Sequence, residues 1–141
     1  MSEQQPIFAI EKIYVRDLSL EIPNAPNIFL ERDTPEINLQ LDTKSQSIND
    51  ELHEVFLTVT VTAKVKDKIM FLVEAQQSGI FRIHNIPKEE IDPVLGIGCP
   101  TILFPYLREV VSDVVIRAGF PPVILNPVNF EAICQQKKSR N

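Results

Sequence analysis

Pro100 to Phe120, PTILFPYLREVVSDVVIRAGF, carries more apolar surface than a single helix contact needs. Placed at about 100° per residue, Tyr106, Val110, Leu103, Val114, Leu107, Val111, Phe104 and Val115 fill an arc of roughly 180°, wider than the ~100° stripe that docks a helix on one layer. Two surfaces are expected to cover it. The remaining arc holds Arg108, Ser112, Glu109 and Asp113, a wet edge that argues against a membrane span. Regular helix is expected to begin near Pro105, or to bend there, because proline removes a ladder hydrogen bond. Gly119 and Pro121-Pro122 end it. A helix buried in its own domain and a helix shared with a partner subunit both fit this pattern, so the cover offered by the rest of the chain decides.

Upstream, the pattern is that of strands. Phe8, Ile10, Tyr14, Leu18 and Leu20 alternate with Ala9, Glu11, Asp17, Ser19 and Glu21, while Ile13 and Val15 break the period and place a bulge or a second contact mid-strand. Pro23 to Pro26 ends this strand, and an irregular connection follows through Pro35. Ile37, Leu39 and Leu41 alternate with Asn38, Gln40 and Asp42 in a second strand, ahead of a polar loop from Thr43 to Asp50. A third strand sets Val55, Leu57, Val59, Val61, Ala63 and Val65 against Glu54, Thr58, Thr60, Thr62 and Lys64, with Phe56 interrupting the polar face. Lys66-Asp67-Lys68 turns the chain into a fourth, with Ile69, Phe71, Val73 and Ala75 inward and Met70, Leu72, Glu74 and Gln76 outward. Gly79 marks a bulge or a close backbone approach.

Pro87 to Ile91 then reads as the first turn of a short helix, and Phe130, Ile133 and Cys134 share one face of a last one. The expected class is α+β: a four-stranded antiparallel sheet with C-terminal helices on one face. One small sheet covers one side of the long helix, so a homo-oligomer is expected to cover the other.

The composition fits one domain over 1–141, with an ordered core from about 8 to 134 and short flexible ends: 141 residues, 44% of them hydrophobic. Met1 to Gln5 has neither the basic start nor the apolar core of a signal peptide, and a cytosolic protein is expected. A formal net charge of −5 disfavours a grip on nucleic acid and favours basic partners. Lys137-Lys138-Ser139-Arg140 reads as a solvated tail.

Chemistry-bearing patterns do not assemble. Cys99 and Cys134 lack metal or disulfide spacing and read as buried hydrophobes, and His53 and His84 stand at neither ligand nor triad spacing. Gly96-Ile97-Gly98 lacks the third glycine of a dinucleotide loop and reads as a turn. Adjacent Glu89 and Glu90 point apart on a helix. No enzyme activity, metal or cofactor is expected. What the sequence does offer is aromatic material beside loops: Phe71, Phe81, Phe104, Tyr106, Phe120 and Phe130. Most must be ordinary core; the rest can line a groove between a sheet edge, the long helix and the proline-rich loop from Pro121 to Pro127, open to extended apolar segments.

Four separated stretches resemble one family. They are Ile13 to Asp17 with Pro23 to Pro26; Phe71 to Phe81, FLVEAQQSGIF; Cys99 to Tyr106, CPTILFPY, with Arg108-Glu109; and Pro127 to Phe130. They are similar to SecB, the bacterial preprotein-export chaperones, over nearly the whole chain from Phe8 to Cys134. The resemblance implies a non-enzymatic, ATP-independent homotetramer, a dimer of dimers with long helices between two eight-stranded sheets, which holds newly made secretory precursors unfolded and passes them to the SecA motor. It implies client contacts at Phe71 and Tyr106, with Ile37, Leu39, Leu41 and Phe120, and a tetramer interface at Leu107, Val110, Val111 and Val114. It places SecA's zinc-containing C-terminal segment on Asp17, Glu21, Leu72 and Glu74, the zinc belonging to SecA. Family members can carry a flexible acidic tail that helps hold SecA; this sequence departs from that pattern, with Lys137 to Asn141 in its place, and Cys134 makes the groove less apolar than an aromatic would. A general holdase or antitoxin-associated chaperone on the same scaffold is the alternative, and a small-molecule binding protein a more distant one.

Overall fold

The computed structural model describes residues 5 to 139. Four antiparallel strands, β1 (Ile7–Glu21), β2 (Glu36–Ser47), β3 (Leu52–Val65) and β4 (Lys68–His84), form one sheet in the order β1-β4-β3-β2. The helices follow as α1 (Lys88–Pro93), a π-helical segment Val94–Gly98, α2 (Cys99–Arg117) and α3 (Phe130–Ser139). The class is α+β, as the alternation predicts, but the sheet is not a simple meander. The connection after β1, with a 3-10 turn at Asn27–Leu30, carries the chain from one edge of the sheet to the other. β1 and β2 are therefore the two edges.

β1 contains two register shifts, between Ile10 and Lys12 and between Val15 and Asp17. Each one-residue shift moves following side chains to the other face. Between them Ile13 and Val15 lie opposite Gly79 and Gln77 on the helix side, whereas Tyr14, expected inward, lies opposite Ser78 on the outer face. After the second shift Asp17 faces outward opposite Gln76, and Leu18 and Leu20 return to the helix side opposite Ala75 and Val73.

Two other expectations change locally. β2 continues through Ser47, paired with His53, so the polar residues from Thr43 are strand and the hairpin loop is shorter than expected. Its last residues are solvent-exposed, which removes the demand for alternation. Asn49 Oδ1 closes the loop by accepting from the amides of Glu51 and Leu52, each at 2.9 Å. In β4, a shift beside Ala63 sets Ile69 opposite Lys64 on the outer face and makes Met70 the extra residue; Met70 is buried rather than outward. Gly79 is not at a bulge in β4. It is a close approach: a Cβ there would meet Phe81 Cε2 at 2.9 Å and Leu103 Cδ2, on α2, at 3.0 Å.

The acids Glu89 and Glu90 do sit in the first turn of α1, but the helix does not stop. Gly96-Ile97-Gly98 is π-helical rather than a turn, and Lys88–Arg117 forms one helical run of 30 residues. Regular helix does not wait for Pro105, which lies inside α2. Pro105 and Thr101 are both exposed, so the Thr101 carbonyl that the proline orphans faces water. The run is long and apolar enough to cross a membrane by length and composition alone. A core helix meets the same test, and Leu103, Leu107, Val111 and Val115 are fully buried together with Leu57, Val73 and Phe81 of the sheet.

From Cys99 round to Val115 the buried residues of α2 span about 160° at 100° per residue, wider than a minimal docking stripe. Leu107, Val111 and Val114, expected at a subunit interface, are covered by the chain's own sheet, and Val110 is half-buried at the margin. On α2 itself Tyr106 and Ile116 stay uncovered, and further apolar surface is bare on β1. Phe8, Ile10, Val15, Leu18 and Leu20 all face the helix side, yet α2 rests on β3 and β4, and each of the five is more than a third exposed.

Candidate functional site

The inward residues of the edge strand β2, Ile37, Leu39 and Leu41, stand opposite Ala63, Val61 and Val59. The proline-rich segment after α2 runs beside them, and two cavities open in succession along β2. The first, about 480 Å³, is lined by Ile37, Met70, Phe71, Phe120, Pro122 and Val123 among others. The second, about 240 Å³, is lined by Leu39, Leu41, Phe104, Leu125, Pro127 and Val128 with Val59 and Asn126. The groove foreseen between sheet edge, helix and proline-rich loop thus brings together Ile37, Phe71 and Phe120, and next to them Leu39 and Leu41.

Phe71 is its floor, 2% exposed, with the Phe120 ring tilted against it at 5.1 Å and Phe29 stacked on Phe120 at 5.0 Å. Phe29 is 42% exposed, so this aromatic ladder climbs from the sheet to the surface. Gly119, at a φ of 95°, ends the helix in the left-handed conformation that lets Phe120 fold back. The β1–β2 connection forms the other rim, and Lys66 ties it down with its ammonium 3.5 Å from both Glu31 and Asp33. The sequence pattern did not single out Phe29; its signal was the apolar triplet Ile28-Phe29-Leu30 inside the connection after β1.

Tyr106 does not join them. It is 49% exposed on the flank of α2 opposite Phe104, turned away from β2. Lys137, expected in a solvated tail, donates from Nζ to Asp42 Oδ1 at 3.2 Å and to Thr43 O at 3.3 Å, fastening α3 to β2; Arg140 lies outside the described residues. Cys134 is only half-buried, whereas Cys99 is fully buried and its thiol is pushed up to about 12 by that burial. Among the described residues no three or more His, Cys, Asp or Glu side chains are placed to hold a metal.

On the outer face of the sheet, Glu21 lies opposite Leu72, Glu74 opposite Ser19 and Asp17 opposite Gln76. Three exposed carboxylates therefore share this face with one half-exposed leucine. Beside this patch is a buried charge that the alternation had assigned to a solvated face. Glu54, 5% exposed, accepts hydrogen bonds from Tyr14 Oη, from Ser78 Oγ at 2.7 Å and from Gln46 Nε2 at 2.7 Å, and Arg16 Nε lies 3.3 Å away. Burial acts to raise the Glu54 pKa, but the donations from Tyr14, Ser78 and Gln46 with the Arg16 charge outweigh it and hold the carboxyl below its ordinary value. The Tyr14 hydroxyl is pushed up, first by burial and then by its bond to Glu54. Arg16 covers the Phe56 ring at 4.2 Å, which explains how that phenylalanine can sit on the outer face and remain buried.

The model of the family described as preprotein translocase subunit SecB matches residues 1–141. The protein-export protein SecB of Nitrosomonas eutropha is 70% identical over 138 residues, covering 96% of this chain and 86% of that protein. Its counterpart in Thiobacillus denitrificans is 61% identical over 135 residues, covering 96% and 89%. A solved structure of a Mycobacterium tuberculosis SecB-like chaperone, in complex with a ChAD peptide from an antitoxin, superposes with a TM-score of 0.71 at 16% identity, over 86% of this chain and 90% of that one, a likeness of fold. Sheet, long helix and matched length agree, and this chain belongs to the SecB family.

Proposed function

We propose that this chain is a cytosolic protein-export chaperone that holds unfolded secretory precursors along β2 and delivers them to the SecA motor. The observation that carries this reading is the apolar groove lined by Ile37, Phe71 and Phe120 and continued past Leu39 and Leu41. Such a furrow accepts an extended chain by shape and apolarity, without demanding a sequence. Each contact is weak, and several engaged at once on one client give avidity because every later contact is intramolecular. No nucleotide is needed in this scheme, since release follows when the motor takes the client.

The bare apolar face of β1 supports assembly into a homotetramer, a dimer of dimers, because five half-exposed apolar side chains on one strand face are a partner-sized liability in water. Tyr106, 49% exposed on the flank of α2, adds to the apolar surface left uncovered. The acidic outer face of β1 and β4 suits a basic partner, and SecA's zinc-containing C-terminal segment is the one assigned to Asp17, Glu21, Leu72 and Glu74. Exposed ion pairs contribute about 0 to 1 kcal/mol each, so several act together and salt loosens the contact.

Light scattering from a reduced, unfolded secretory precursor tests the holding role. Stoichiometric tetramer is expected to delay aggregation; unchanged aggregation contradicts it. Removing the zinc segment from SecA is expected to abolish the motor contact, and undiminished binding points instead to a general holdase on this scaffold.

A further inference from the structure

Glu54 is a charged residue buried on the outer face of the sheet, beside the buried Phe56 and Ser78, and its partners come from every other strand. Tyr14 and Arg16 belong to β1, Gln46 to β2, and Ser78 to β4, with Glu54 itself on β3. Arg16 is the residue left over at the second register shift of β1, between Val15 and Asp17. It is held three ways: by Glu54, by the Phe56 ring, and by donation from Nη1 to Gln76 Oε1 at 3.2 Å. A register shift is what decides the face on which Asp17, Ser19 and Glu21 emerge. Without it, Asp17 and Glu21 would point to the helix side, away from Leu72 and Glu74.

We infer that Glu54 and Arg16 are positioning residues for the acidic face: the Tyr14–Glu54–Ser78 cluster with Arg16 pins the bulge that brings Asp17 and Glu21 beside Leu72 and Glu74. The inference rests on the assignment of that face to the SecA segment. Glu54 touches no partner there; it acts by fixing the strand that carries two of the four contacts. A bulge used this way re-aims side chains at a site instead of merely ending a pairing.

The test measures affinity for the zinc-loaded C-terminal segment of SecA by fluorescence anisotropy, beside precursor holding by light scattering. Glu54→Gln keeps the shape and removes the charge, and Arg16→Gln alters a half-exposed residue that the fold tolerates. Each is expected to weaken segment binding about five- to tenfold while leaving precursor holding unchanged. The double variant is expected to be no weaker than either single one, because both act through one bulge. Amide exchange from Arg16 to Glu21 should speed up in both.

Unchanged segment binding in both single variants overturns the inference, provided that Asp17→Lys still weakens it; so does parallel loss of holding, which would make the cluster a general stabiliser. If Asp17→Lys and Glu74→Lys leave segment binding intact, the assignment of the face fails, and the inference fails with it.

Discussion

At the scale of single residues, the sequence pattern was informative where one face is apolar and silent where a polar side chain is buried on the other. Glu54 stands in a run of alternating polar residues and looks solvated; only the bulged β1 brings Tyr14 and Arg16 onto it. Its folded-state pKa is depressed, so the stability it contributes is present above the ordinary carboxylate range and lost as pH falls through the folded value. Urea midpoints taken between about pH 6 and pH 3 should fall more steeply for the wild type than for Glu54→Gln; equal slopes would mean the cluster is not coupled to folding. The two cysteines should separate as well. Cys99, with its thiol raised to about 12, is expected to resist alkylation in the native state while the half-buried Cys134 reacts, and mass spectrometry of the labelled peptides reads the difference. Glu74→Lys is expected to weaken binding of the SecA segment and spare client holding, checked in the same anisotropy and scattering measurements.

At the scale of elements, the strands were legible because period-2 alternation survives wherever the sheet has one dry face, as in β3 from Val55 to Val65. Their order was not, because nothing local in Pro23 to Pro35 says which edge the chain returns to. The helix start was misplaced for a physical reason: Pro93, Gly96, Gly98 and Pro105 are breakers by propensity, but the π segment and a solvent-facing proline absorb them, and packing of Leu103 and Leu107 on the sheet overrides the local cost. Gly79 is the hinge of that packing. Gly79→Ala places a Cβ against Phe81 and Leu103 and is expected to cost about 1 to 3 kcal/mol, read as a lowered urea midpoint at constant m-value. A neutral effect would mean that α2 sits farther from β4 than described.

At the scale of the whole molecule, uncovered apolar surface was foreseen on the long helix, where Tyr106 and Ile116 are exposed, and its larger share on β1 was not. The helix packs one face on its own sheet, and the bare strand is β1, whose alternation shows which residues share a side but not how far the helix layer extends over them. The groove was foreseen in place, between β2 and the segment from Pro121, and five of its six expected residues line it, while Tyr106 stands apart. Val15→Asp and Leu18→Asp together should convert the proposed tetramer into smaller species without loss of far-UV dichroism, as read by mass in solution. The central claim, that this furrow along β2 is where unfolded chains are held, is tested most directly by Ile37→Asp with Leu39→Asp, titrated against a labelled, reduced precursor. Both side chains are nearly half exposed, so folding and assembly should survive. Precursor affinity is expected to fall at least about tenfold at unchanged mass; undiminished affinity in an intact tetramer would contradict the account.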